Sequence, residues 1–176
     1  MNLLSLFKLT PEHKQDYGQL FDKISEIGEQ LTETEIKQVT AVAGLCGRIA
    51  YADTEITEDE IARISTVLQN ESKLSARSIE IVTTLLVEHR VELLTLEEYF
   101  YSRLANESMT EAEKRALLRH LFRIAAADGT ICLKEENLLF TIASQLKLPR
   151  KEVIQLKHEF RDFLSVFQTV DGSPRA

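Results

Sequence analysis

The stretch from Arg123 to Glu135, RIAAADGTICLKE, reads as the end of one helix, a short loop and the start of another. Residues 48–60, RIAYADTEITEDE, repeat it, and a shift of 75 superposes the two. Arg48, Ile49, Ala50, Ala52, Asp53, Ile56 and Glu60 fall on Arg123, Ile124, Ala125, Ala127, Asp128, Ile131 and Glu135, seven identities in thirteen positions. The apolar face continues, with Ile64 matching Leu139 and Val67 matching Ile142. The pattern predicts two similar helix-loop-helix units packed about a pseudo-twofold axis, with Ile56 and Ile131 pinning the loops.

Helical spacing fills the rest of the chain, which holds only three prolines and six glycines. Thr32 with Glu35, Thr57 with Glu60, Thr95 with Glu98 and Thr110 with Glu113 each form a capping-box pattern. In such a box a hydroxyl and a carboxylate satisfy first-turn amides. Pro11 and Pro149 sit where first-turn prolines do. The predicted helices are 11–30, 33–52, 58–70, 75–91, 96–106, 111–127, 133–146 and 150–167. Val39, Val42, Ala43, Cys46, Ile49 and Ala50 form one apolar stripe, and Leu117, Leu118, Leu121, Phe122, Ala125 and Ala126 another. Ile79, Ile81, Val82, Leu85 and Leu86 cover most of a helix circumference, so this segment is expected to be the central buried helix. No strand series is evident. The expected fold is all-α, a single domain of seven to eight helices. It comprises an N-terminal helical extension (1–30), a helical domain (31–167) and a disordered tail (168–176).

The chain has 176 residues, 44% hydrophobic and 28% charged, which is ordinary for a globular protein with its own core. A net charge of −7 repels phosphate backbones, so nucleic acid is not an expected partner. Cys46 and Cys132 are the two cysteines, far apart and in no zinc pattern, and read as buried small hydrophobes in a reducing compartment. The start, MNLLSLFKLT, lacks the features of a signal peptide, and no apolar run approaches the ~18 residues of a membrane span. A cytoplasmic location is expected. Leu3, Leu4, Leu6 and Phe7 are expected to pack on the body, with weak peripheral membrane contact as the other reading.

Asp53 and Asp128 each end a helix, where the macrodipole is negative and a carboxylate costs roughly 0.3–1 kcal/mol. Something must offset that. One answer is an Asx turn into the loop, with Gly129 in the left-handed conformation and Thr54 replacing it in the first unit. The other is a bound cation. Glu60 is explained by its capping box, whereas Cys132 replaces the threonine before Glu135, which points to a second role for the carboxylate pair. A calcium EF-hand does not fit, because the first and third ligand positions fall on Ile124 and Ala126, or on Ile49 and Tyr51. The surviving candidate is one oxygen-rich site shared by Asp53, Glu60, Asp128 and Glu135, holding a divalent cation (calcium, magnesium, manganese or zinc). Glu55, Glu58, Asp59 and Glu136 would add negative potential.

Catalytic patterns are missing. His13, His89, His120 and His158 form no HExxH pair, and there is no P-loop, GxGxxG or GxSxG. No Glu-x-x-His pair supports a di-iron centre. No catalytic residue is assigned, and the chain is not expected to be an enzyme. Arg48 and Arg123, five residues before each Asp, read as ion-pairing residues.

The doubled phrase, with AADG-x-I-x-x-x-E in its second copy, resembles the TerB-like family associated with tellurite resistance. The resemblance spans about residues 31–160. It implies an all-helical fold with internal twofold similarity and an acidic cluster that binds metal, carried onto Asp53, Glu60, Asp128 and Glu135. It also implies a role in the response to toxic oxyanions and membrane-associated protein complexes. Tellurite is itself an anion, so direct capture by these carboxylates is opposed by charge. Thr54 in place of a glycine is a departure that counts against two identical loops. The alternative function is a metal-free helical adaptor whose acidic face binds a partner protein.

Overall fold

The computed structural model describes residues 31–51, 58–71, 74–89, 91, 94 and 96–167. Among these the chain forms α1 (Glu33–Ala50), α2 (Glu58–Glu71), α3 (Ala76–Glu88), α4 (Glu98–Ser108), α5 (Glu111–Ala125), α6 (Leu133–Gln145) and α7 (Arg150–Glu159). Two 3-10 turns follow, Arg161–Phe163 and Ser165–Phe167. The all-α class is as expected. No described helix is long and apolar enough to cross a membrane. The extension 1–30 with its helix 11–30 and the apolar Leu3, Leu4, Leu6 and Phe7, and the tail 168–176, lie outside the described residues.

Two capping boxes start their helices as predicted. Thr32 Oγ1 accepts the Glu35 N–H at 3.3 Å while Glu35 Oε2 accepts the Thr32 N–H at 2.9 Å. Thr110 and Glu113 repeat this at 3.3 and 2.8 Å. Each satisfies amides that the first helical turn leaves without partners. Thr57 and Thr95 of the other two predicted boxes lie outside the described residues. The N-cap of α4 is Glu97, which makes no side-chain cap bond, and Glu98 pairs with Arg48 of α1 at 3.2 Å. That contact also makes Arg48 the interhelix ion-pair residue its position suggested.

The central helix is α1, not the segment 79–86. Every residue of α1 from Val39 to Gly47 is buried, and it packs against α3, α4, α5 and α6. The reason is size. Ala41, Ala43, Gly44, Cys46 and Gly47 let neighbours close in from all sides, whereas a reading by bulky apolar residues favours α3. That helix buries Ile79, Ile81, Val82, Leu85 and Leu86 but leaves Val87 exposed. Gly44 marks the closest approach: a Cβ there would lie 2.2 Å from the Tyr101 ring of α4.

The last predicted helix stops at Glu159 rather than 167. Phe160 turns inward and stacks on Phe122 of α5, ring centroids 5.3 Å apart. The chain then crosses the loop between α5 and α6. The Ile131 N–H donates to the Phe163 carbonyl at 2.6 Å, and the Ser165 N–H donates to the Ile131 carbonyl at 3.1 Å. Ile131 and Leu164 are both fully buried at this crossing. Ile131 therefore pins its loop as expected; Ile56 lies outside the described residues.

Candidate functional site

Asp128 follows the last turn of α5. Its Oδ1 accepts the Thr130 N–H at 3.0 Å, which closes an Asx turn. Gly129 beside it has φ +97°, a left-handed conformation that costs glycine little. A Cβ at Gly129 would meet nothing within 4 Å, so backbone conformation, not space, favours glycine there. The structural half of the sequence reading is thus present at the second loop.

Glu135 stands three residues into α6. Its Oε2 accepts the Cys132 N–H at 2.8 Å, the carboxylate half of a capping box. Replacing threonine by Cys132 therefore does not deprive Glu135 of its cap role, and the inference that the missing hydroxyl leaves the carboxylate to another task is corrected. Glu136 is corrected too. It adds no exposed negative charge, because it is buried and paired with Lys157 of α7, whose ammonium also lies over the Phe140 ring.

Asp128 and Glu135 line one cavity of about 180 Å³. Ile49 and Ala50 at the end of α1 form another part of its wall, and Arg63 of α2 and Arg123 of α5 share it. The end of the first unit's leading helix thus meets the loop of the second unit. Arg63 Nη1 donates to the Ala127 carbonyl at 3.0 Å, a bond between the two units at the negative end of α5. Sequence reading missed Arg63. The signal was a break in the repeat, since the shift of 75 places Leu138 opposite it.

Of the four proposed ligands, Asp128 and Glu135 are brought to this one cavity. Asp53 and the side chain of Glu60 lie outside the described residues, as do Glu55 and the side chains of Glu58 and Asp59. Among the described residues no three His, Cys, Asp or Glu side chains are grouped to hold a metal ion. Two carboxylates fit part of the shell of a hard cation, which takes six or more oxygens. The remainder would fall to Asp53, Glu60 and water.

His120 is elsewhere. It is buried beside Gln38, Val42 and Leu68 in a mainly apolar cavity of about 140 Å³. Burial, and then the charge of Arg119, hold its pKa down at about 4, so it is a neutral core residue at pH 7. Cys46 is fully buried and its thiol is pushed up to about 12 by burial, as expected of a small core residue. Cys132 departs from that expectation, being half-buried at the start of α6.

No match to the chain is found among curated proteins or among solved structures. The family model for tellurite resistance protein TerB matches residues 38–158, from the first half of α1 almost to the end of α7. That span contains both copies of the repeated phrase and every residue that lines the cavity between them. The match agrees in fold class and in position with the repeat from which the resemblance was read, and the chain belongs to the TerB family associated with tellurite resistance.

Proposed function

We propose that the chain acts as a non-enzymatic domain of the tellurite-resistance stress response and binds one divalent cation between its two units. Asp128 and Glu135 are the ligands from the second loop, and Asp53 and Glu60, their equivalents in the repeat, complete the set. The observation that supports this most is the shared cavity, which puts both second-loop carboxylates against the end of α1 just before the first loop. An all-carboxylate set suits calcium, magnesium or manganese better than zinc. The bound ion would offset the charge of Asp128 at the negative end of α5.

A second reading is a metal-free adaptor for a partner protein. It is favoured by the fact that Asp128 Oδ1 and Glu135 Oε2 already hold backbone amides. Thermal unfolding of chelator-stripped protein separates the two. Titration with calcium, magnesium, manganese and zinc should raise the midpoint for one of the hard ions. Stabilisation at one hundred times Kd is about 2.7 kcal/mol. The rise should vanish in Asp53→Asn/Asp128→Asn. No shift with any ion would reject cation binding and leave the adaptor.

A further inference from the structure

The cavity beside His120 lies between α1, α2 and α5, and among the described residues it shares no wall residue with the cavity at Asp128. On α5 its wall is Ala112 and Ala116, one turn apart, so methyl groups stand where longer side chains would fill the space. The floor is Val42, Leu68, Leu117 and His120, all buried. Met109 is half-buried at the edge and Ala112 is exposed, so the space opens to solvent and a ligand can enter without unfolding a helix. At about 140 Å³ it is close to the ~150 Å³ at which an apolar cavity takes up benzene. The polar groups of the wall are engaged or neutral. Glu113 accepts the Thr110 N–H and hydroxyl at 2.8 and 2.7 Å, and Gln38 Nε2 donates to the Ser108 carbonyl at 2.9 Å. His120 is neutral at pH 7 because burial holds its pKa at about 4. An anion would meet no counter-charge among the described wall residues, and a cation would lose its hydration against an apolar floor. We propose that this cavity is a binding site for a small uncharged molecule whose apolar body is about the size of one six-membered ring. The flexible thioether of Met109 can close over such a body at the edge. The site stands whether or not the cavity at Asp128 binds a cation.

The test titrates the full-length chain with benzene, benzoate and benzylammonium. Labelling the methionine methyl groups gives two signals, from Met1 and Met109, and Met109 reports on the cavity. Benzene should shift the Met109 signal saturably and raise the thermal midpoint, and the two ions should do neither. Ala116→Leu and Ala112→Leu extend a side chain into the space, and loss of benzene affinity by about tenfold in at least one of them is the expected result. Ala112 is exposed, so its variant keeps the test open if Ala116→Leu does not fold. No saturable shift with benzene overturns the site. Benzene binding that no folded variant weakens would place the ring elsewhere and also overturns it. Benzoate or benzylammonium binding as tightly as benzene would mean that charge is what the cavity takes, and overturns the proposal too.

Discussion

A methyl group at Gly44 would enter the ring of Tyr101, which is fully buried. Gly44→Ala must therefore push α4 away or force Tyr101 off its rotamer, at about 1–3 kcal/mol. A lower urea midpoint with unchanged slope is the expected result, and Tyr101→Leu in the same chain should recover part of it. His120 gives a second prediction at this scale. The unfolded chain takes up a proton near the ordinary value of 6.5, and the folded chain only near 4. Stability is thus full above pH 6.5 and falls as pH drops towards 4, by about 3 kcal/mol from this residue. His120→Gln should flatten that part of a pH series of urea melts relative to wild type. Single residues were unevenly legible. Asp128, Gly129 and Arg48 behave as their positions imply, because their interactions are local or follow from charge. Glu135 was misread because its cap bond goes to the Cys132 backbone amide, as in the other boxes, and does not need the hydroxyl that cysteine lacks. Arg63 was invisible because its partner is a carbonyl 64 residues away.

Among the elements, the starts of α1 and α5 were readable because a hydroxyl and a carboxylate stand three apart at each. At α4 the N-cap is Glu97, two residues after the predicted Thr95, and Glu98 pairs with Arg48. The rank of the helices was not readable, because burial of α1 on all sides depends on small residues meeting the neighbours that tolerate them. The end of α7 was not readable either. Its apolar residues keep helical spacing past Glu159, but Phe160 and Leu164 gain more from Phe122 and from the buried crossing at Ile131. That crossing holds the loop that carries Asp128. Leu164→Ala removes a fully buried side chain there and should cost about 2–4 kcal/mol. Hydrogen exchange gives the sharper check: the amides of Ile131 and Ser165 should lose protection more than those of α1. Equal loss everywhere would mean that Leu164 serves the global core and not the loop.

For the whole molecule, the decisive feature is the repeat. It was visible in the sequence as two copies of one phrase, and it predicted an all-α chain of the TerB family. The cavity was not visible, because Arg63, Ile64 and Val67 of its wall come from α2 beyond the phrase. The central claim is that the two units share one cation rather than each binding its own. Counting bound ions per chain tests it most directly, by equilibrium dialysis of calcium or manganese against chelator-stripped wild type, Asp53→Asn and Asp128→Asn. The account predicts one ion per wild-type chain, with affinity lost in either single variant, because both loops supply its ligands. Two ions per chain, each variant losing one, would contradict a shared site, and no ion on the wild type would contradict the cation altogether.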